Sequence, residues 1–219
     1  MFPIRDTRSL GKFPLVNILI ILLNLYVFFL ELVSPNLQFF INRYSLIPAS
    51  IDFSRTETLV PFVTSIFLHA GFLHILSNMW FLWVFGSNIE AIMGRFKYLG
   101  FYLFCGIAAN FSQYLFTQNS FLPMLGASGA IAGVLGAYYK FFPKNAIDTI
   151  IPVFGLPIII PLPVRVMLIY WFITQAFNGV AAIFTITSST GGVAYLAHIG
   201  GFIFGLVICS HFVWQKRLR

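Results

Sequence analysis

Four side chains that could take part in a nucleophilic serine reaction lie near the beginning of three apolar segments. His74 and Asn78 open one segment, Ser128 opens the second and His198 opens the third. A serine hydroxyl becomes a nucleophile when a histidine within about 3 Å accepts its proton. His74 and Asn78 are spaced i, i+4 and share one helix face. Together with the Ser128 backbone amide, they could donate hydrogen bonds to a developing oxyanion.

The composition places these residues in a membrane protein. The chain has 219 residues, of which 59% are hydrophobic and only 9% charged, whereas an average soluble domain has about 25% charged residues. So few charges cannot cover a water-facing surface, and soluble enzymes and disordered proteins are therefore excluded. The net charge of +7 does not indicate nucleic-acid binding, because the basic residues form no stripe with interleaved aromatics.

The stretches without charged residues predict six membrane-spanning helices. A helix needs about 20 apolar residues to cross the hydrocarbon core, and the four charge-free stretches are 13–30, 58–89, 98–139 and 166–215. The second is interrupted near Gly71, the third is divided around Thr117–Pro123, and the fourth is divided around Thr185–Gly192. Four prolines in Thr149–Val164 exclude a regular helix, so we predict a loop or interfacial segment there.

We therefore predict an all-α membrane protein that forms a single domain of residues 1–219. The predicted spans are 13–33, 73–88, 98–116, 125–141, 165–184 and 193–213, and residues 34–70 are predicted to form an interfacial loop. With the N-terminus inside, only Arg43 and Arg55 of the 13 Lys and Arg residues fall in outer loops. This is a strong positive-inside bias, and it predicts that both termini are cytoplasmic.

The predicted orientation brings the reactive side chains to one depth. Spans 2, 4 and 6 run inwards from the outer face, so His74, Asn78, Ser128 and His198 lie one or two turns below it. Ser128 and His198 are expected to lie within roughly one helical turn of each other in depth. Polar groups inside a bilayer are costly and usually mark function, so we predict a shared site.

Glycines beside the serine and the histidine would allow two helices to approach closely. Gly129 and Gly133, and likewise Gly201 and Gly205, have the G-x-x-x-G spacing that permits tight packing in membranes. Gly126 lies two residues before the serine. Two interpretations stay open at this point. In the first, Ser128 and His198 are a reactive pair. In the second, Ser128 belongs to a small-residue packing face and His198 is a hydrogen-bonded interior histidine.

Five segments of the chain resemble the rhomboid family of intramembrane serine proteases over roughly Leu59–Gly205. They are FLHAGFLHILSNMWFLWVFG (Phe67–Gly86), IEAIMG (Ile89–Gly94), GASGAIAG (Gly126–Gly133), WFITQAFNG (Trp171–Gly179) and AHIGGFIFG (Ala197–Gly205). The resemblance implies a six-helix rhomboid bundle, with Ser128 as the nucleophile and His198 as the general base. No third acidic member is implied, and His74, Asn78 and the Ser128 amide form the oxyanion site.

The resemblance also implies substrates, location and cofactors. The expected substrates are single-span membrane proteins, cut near the outer end of their helix. The expected location is the cytoplasmic membrane of a bacterium, with the active site opening to the outer face. No cofactor is expected. His69, His74 and His198 have no carboxylate or cysteine nearby in the sequence, so no metal site is predicted. The sequence makes no prediction of the oligomeric state.

One position departs from the family pattern. Many rhomboids carry an aromatic residue one turn after the serine, where it packs on the histidine ring, and this chain has Ala132 there. We therefore expect that either another aromatic side chain orients His198 or the pair is looser.

Two other functions stay open. One is a catalytically inactive rhomboid-like protein that binds transmembrane helices for quality control, although such relatives typically lack the serine or the histidine. The other is a small channel or transporter. Transporters often show internal repeats and charged mid-span residues, and the sequence has neither.

Overall fold

The computed structural model describes residues 2–8, 10–153, 156–184 and 194–213. The predicted break at Thr185–Gly192 and the basic residues at 216, 217 and 219 lie outside the described residues. The α-helices are α1 (Leu15–Val33), α2 (Leu37–Tyr44), α3 (Thr56–Leu59), α4 (Pro61–Thr64), α5 (Phe72–Met93), α6 (Arg95–Thr117), α7 (Ser128–Phe141), α8 (Val164–Phe184) and α9 (Tyr195–Ile208). The strands are β1 (Phe2–Asp6), β2 (Ala146–Val153) and β3 (Leu156–Pro163).

Helices occupy the segments in which spans are predicted. Among the described residues, four are long and apolar enough to cross a membrane, namely Leu15–Val33, Arg95–Thr117, Val164–Ala181 and Tyr195–Phe212. A fifth results if Thr56–Phe67 and Phe72–Met93, which meet at a bend of 79°, count as one span. The bend coincides with the interruption predicted near Gly71. The fold is thus a largely helical membrane bundle with four to five candidate spans, and a sixth crossing stays a prediction.

Helix α7, at the predicted fourth span, is shorter than a full crossing. It has 14 residues, which extend about 21 Å at 1.5 Å per residue, against a hydrocarbon core of about 30 Å. Every residue from 129 to 138 is buried, and the surrounding helices are α5, α6 and α9. Residues 129–138 of α7 are therefore surrounded by neighbouring helices.

The expectation of an all-α fold is wrong in one region. Strands β1, β2 and β3 form an antiparallel sheet in that order, and Thr149–Val164, predicted as a loop or interfacial segment, supplies most of the β2–β3 hairpin. Proline removes a backbone donor but is tolerated on edge strands, and Pro157, Pro161 and Pro163 all lie on the edge strand β3. Three of the four prolines that exclude a helix are therefore compatible with this strand, and the fourth, Pro152, lies in β2 beyond Ile150, the last residue of β2 that pairs with β1.

The segment predicted as an interfacial loop at 34–70 also contains regular structure. It holds the short helices α2, α3 and α4, and two 3-10 turns at Pro48–Ser50 and Ser65–Phe67. The Asn36 side chain accepts a hydrogen bond from the Phe39 amide and so caps α2. Local capping of this kind favours short helices where the hydrophobic pattern is too irregular to indicate them.

Buried polar contacts join α1 to the rest of the bundle. The two carboxylate oxygens of Glu90 in α5 accept hydrogen bonds from the backbone amides of Val16 (3.1 Å) and Asn17 (2.8 Å). A carboxylate at a helix N-terminus satisfies free amides and complements the helix dipole. The Tyr98 hydroxyl of α6 donates to the Asn17 side chain at 2.6 Å. These bonds hold the first turn of α1 against α5 and α6.

A second polar cluster ties the N-terminal strand to α5 and α7. The Asp6 carboxylate accepts hydrogen bonds from the side chains of Asn88, Tyr138 and Asn145 and from the Arg8 backbone amide. Burial raises the pKa of Asp6 above its usual value. Because Tyr138 lies in α7, Asp6 connects strand β1 to the helix that begins with Ser128.

Candidate active site

The structure brings Ser128 and His198 into hydrogen-bond contact. Ser128 is the first residue of α7 and His198 lies in the first turn of α9. The distance from His198 Nε2 to Ser128 Oγ is 2.7 Å, and His198 is only 8% exposed. This distance lies within the range required for a general base to take a proton from a nucleophile. The arrangement can therefore activate a serine hydroxyl.

Glycines on both helices permit this contact. A Cβ atom added to Gly201 would collide with the carbonyl oxygen of Gly129, and one added to Gly205 would collide with the carbonyl oxygen of Gly133. At these two levels, only the hydrogen atoms of the glycines separate the backbone of α7 from that of α9. Gly129 directly follows Ser128, and Gly201 lies one turn after His198, so the close approach brings the side chains of Ser128 and His198 within reach of each other.

The turn before Ser128 brings the His74 ring close to the backbone of Gly126, two residues before the serine. Gly126 has a φ of +125°, a backbone conformation that residues other than glycine rarely adopt. A Cβ atom at Gly126 would lie 2.8 Å from His74 Cε1 and 2.9 Å from His74 Nε2. The first four amides of an α-helix have no acceptor within the helix, and the Ser128 amide is one of them. The His74 ring and the N-terminus of α7 therefore border the same space.

Hydrogen bonds determine which atoms of His74 and Asn78 are available as donors. His74 Nδ1 accepts a hydrogen bond from the Ala70 amide at 3.3 Å, so a neutral His74 carries its proton on Nε2, the atom beside Gly126. Asn78 is buried, and its Nδ2 donates to the His74 carbonyl at 3.1 Å. An amide nitrogen has two hydrogens, which leaves Asn78 one further donor.

The residues that hold the other edge of His198 were not identified from the sequence. Gln175 Oε1 of α8 lies 2.8 Å from His198 Nδ1. The rings of Trp171 and Tyr195 lie with their centroids 6.0 and 6.3 Å from that of His198. Ala132 is fully buried in α7, and Trp171 and Tyr195 provide aromatic contact to His198 instead. A signal for Gln175 was available, since an amide within an otherwise apolar span usually marks function.

His69, the third histidine of this region, lies behind His74. The two rings are 5.1 Å apart in an edge-to-face arrangement, and the His69 amide donates to the Glu31 carboxylate at 3.0 Å. Within the part of the chain that the structure describes, no three His, Cys, Asp or Glu side chains come together as a possible metal site.

Comparison with known proteins identifies the family. Residues 56–215 match the model of the rhomboid domain. The zebrafish (Danio rerio) presenilin-associated rhomboid-like protein A, mitochondrial, is 30% identical over 195 residues, which is 84% of this chain and 45% of the relative. The mouse (Mus musculus) presenilin-associated rhomboid-like protein, mitochondrial, is 34% identical over 169 residues, 72% of this chain and 40% of the relative.

A yeast relative extends the comparison. Rhomboid protein 1, mitochondrial, of Saccharomyces cerevisiae is 27% identical over 177 residues, which is 79% of this chain and 46% of that protein. The chain thus spans less than half the length of each of these three relatives. Because the domain match extends over most of its residues, the chain belongs to the rhomboid family.

Proposed function

We propose that this chain is an intramembrane serine endopeptidase that cleaves single-span membrane proteins near the outer end of their transmembrane helix. The observation that carries the proposal is the 2.7 Å contact between His198 Nε2 and Ser128 Oγ. Membership of the rhomboid family, whose members are generally serine intramembrane proteases, supports the same reaction.

The reaction follows the two-step scheme of serine hydrolases. Ser128 Oγ attacks the scissile carbonyl carbon while His198 Nε2 takes the hydroxyl proton. His74 Nε2–H, the free hydrogen of Asn78 Nδ2 and the Ser128 amide donate to the oxyanion of the tetrahedral intermediate. His198 then gives its proton to the leaving amine nitrogen, and an acyl-enzyme remains. Water, deprotonated by His198, attacks this ester and releases Ser128 and the second product.

The position of α8 suggests how a substrate helix reaches this site. The side chains of Tyr170, Ile173 and Phe177 on α8 are about half or more exposed, which suits contact with lipid or with another transmembrane helix. Gln175 of the same helix contacts His198. A substrate helix that packs beside α8 would therefore have only the thickness of this helix between itself and the catalytic pair.

The location is proposed from charge. The small number of basic residues in the predicted outer loops favours cytoplasmic termini and a site that opens to the outer face, and the membrane proposed is the cytoplasmic membrane of a bacterium. The three relatives compared above are named as mitochondrial proteins, so a mitochondrial membrane is the alternative. Fractionation of the native cell with an antibody to the chain distinguishes the two locations.

The experiment that tests the function is cleavage of a model single-span substrate by the purified chain in liposomes. Ser128→Ala is expected to abolish cleavage and labelling by a fluorophosphonate, while leaving the thermal transition intact. Ser54→Ala, in an exposed loop, is the matched control and should retain both. Cleavage that persists in Ser128→Ala contradicts the proposal. Absence of labelling and cleavage in the wild type would favour a non-catalytic helix-binding protein, and solute flux insensitive to serine inhibitors would favour a channel.

A further inference from the structure

We infer that a directed chain of hydrogen bonds from the α8 backbone, through Thr174 and Gln175, fixes the His198 tautomer that the proposed proteolysis needs. Gln175 is then a positioning residue, and Thr174 is the residue that orients Gln175. The catalytic consequence rests on the proposed function, whereas the tautomer itself does not.

The proposed proteolysis requires one particular tautomer of neutral His198. A neutral imidazole carries one proton on its two ring nitrogens, so one nitrogen is a donor and the other an acceptor. His198 Nε2 faces Ser128 Oγ, and it can take the hydroxyl proton only when Nε2 is unprotonated. The ring proton must therefore be on Nδ1. Which nitrogen carries it is decided by the hydrogen bond that the other nitrogen makes.

The chain begins at a backbone carbonyl. Thr174 Oγ1 lies 2.6 Å from the carbonyl oxygen of Trp171, and a carbonyl oxygen can only accept. The single hydroxyl proton of Thr174 is therefore used in this bond. Towards any other neighbour, Thr174 Oγ1 acts as an acceptor.

The next step sets the orientation of the Gln175 amide. Gln175 Nε2 lies 3.3 Å from Thr174 Oγ1 and donates to it. If the amide were turned over, its oxygen would face a hydroxyl oxygen whose proton is already used. The turned amide would also point its NH2 group at His198. Thr174 therefore favours the orientation in which Gln175 Oε1 faces the histidine.

The last step passes this direction to the reactive pair. Gln175 Oε1 lies 2.8 Å from His198 Nδ1, and an amide oxygen can only accept, so Nδ1 carries the ring proton. His198 Nε2 is then free to accept from Ser128 Oγ at 2.7 Å. A neutral amide achieves this without placing a carboxylate inside the bilayer, where a charge is costly.

The tautomer can be measured directly. The test uses the full-length chain labelled with 15N-histidine in lipid nanodiscs, with the His198 signals assigned by comparison with His198→Asn. At neutral pH the wild type should show the proton on Nδ1. Thr174→Val, which has the same shape but no hydroxyl, should shift part of the population to the Nε2-protonated form. Gln175→Met should shift most of it, and Thr174→Ser should restore the wild-type spectrum.

Kinetics provide the second readout. Loss of the residue that sets the histidine tautomer in a serine protease triad lowers kcat about 10⁴-fold, but that residue also carries a charge. For neutral Gln175 we expect a smaller loss, on the order of 100-fold in kcat for Gln175→Met and 10-fold for Thr174→Val, with KM within about twofold. Thr174→Ser should retain the wild-type kcat.

Three outcomes would overturn the inference. The first is a wild-type His198 that carries its proton on Nε2. The second is a tautomer that does not change in Thr174→Val and Gln175→Met, and the third is an unchanged kcat in both. If the proposed function fails instead, the wild type will be inactive while the Nδ1-protonated tautomer and its dependence on Thr174 are still observed.

Discussion

Gln175 Oε1 lies 2.8 Å from His198 Nδ1, at the edge of the imidazole opposite the one that contacts Ser128. Both ring nitrogens are therefore held, one by an amide on α8 and the other by the first residue of α7. Trp171 and Tyr195 add ring contacts. These three residues explain how His198 is oriented in a chain that has Ala132 in place of the aromatic residue of many rhomboids.

The contact between α7 and α9 predicts a strong effect of a single methyl group. A Cβ atom at Gly205 would collide with the backbone of Gly133, so Gly205→Ala must push the two helices apart. We expect a loss of about 1–3 kcal/mol in the free energy of unfolding and a lower rate of fluorophosphonate labelling at Ser128. Thermal unfolding in detergent and labelling kinetics measure the two effects.

Gly100→Ala is the matched control for this helix contact. A Cβ atom there would lie 3.8 Å from Phe212, an ordinary van der Waals distance. Since alanine is favoured over glycine inside a helix by about 0.5–1 kcal/mol, this variant should be at least as stable as the wild type. Equal stability of Gly205→Ala and Gly100→Ala would refute the close approach of α7 and α9.

The proposed oxyanion donors predict a separation of kinetic parameters. His74→Ala and Asn78→Ala each remove a donor that acts mainly when charge develops on the substrate oxygen. We expect kcat to fall about 10²- to 10³-fold in each variant, while KM for a single-span substrate changes little. Ser77→Ala, on an exposed position of the same helix, should leave kcat unchanged. A rise in KM with normal kcat would assign His74 and Asn78 to substrate binding instead.

The Asp6 cluster predicts a pH dependence of stability. Burial raises the pKa of Asp6 above its usual value of 3.8, so the folded state favours the protonated carboxyl. The stabilisation from protonated Asp6 is fully present below the pKa of Asp6 in the unfolded state. It is lost as the pH rises through the pKa of Asp6 in the folded state. Tm should therefore fall with rising pH in this window, and the slope should be smaller in Asp6→Asn.

Asp52 provides a control of opposite sign. Hydrogen bonds from Ser54 lower the pKa of Asp52 below 3.8, so its contribution is lost only as the pH falls through that lower value. Asp52→Asn should therefore keep the wild-type slope of Tm above pH 4. If the slope of Tm against pH is identical in the wild type, Asp6→Asn and Asp52→Asn, Asp6 is not the group that titrates.

The predicted orientation can be tested by labelling single cysteines in intact cells. Ser54→Cys lies in a predicted outer loop and Lys144→Cys in a predicted inner one, and both positions are exposed. A membrane-impermeant maleimide should label Ser54→Cys in intact cells and Lys144→Cys only after lysis. The native Cys105 and Cys209 are both buried, so little background is expected. The reverse pattern would invert the proposed topology.

Much of the helical frame follows from the sequence alone. Charges are costly in a bilayer, so the gaps between charged residues indicate where helices lie. The helices in the structure begin and end within a few residues of the predicted bounds. The same cost makes polar residues in apolar segments informative, so the sequence predicts Ser128 and His198 as site residues. Their spacing from glycines indicated that two backbones could meet there.

Other features depend on the tertiary structure. Prolines in Thr149–Val164 exclude a helix, but whether such a segment becomes a loop or an edge strand depends on a partner, and β1 comes from more than 140 residues away in the chain. The burial of residues 129–138 of α7 likewise depends on the packing of α5, α6 and α9 around it.

The role of Gln175 shows this limit most clearly. Its contact with His198 requires a particular rotation of α8 about its axis and a particular orientation of one amide group. The hydrophobic pattern sets which segments enter the membrane, because the free energy of transferring a segment into the bilayer depends on its composition. Hydrogen bonds between side chains depend on positions to within tenths of an ångström, and only the packing of α7, α8 and α9 against one another determines those positions.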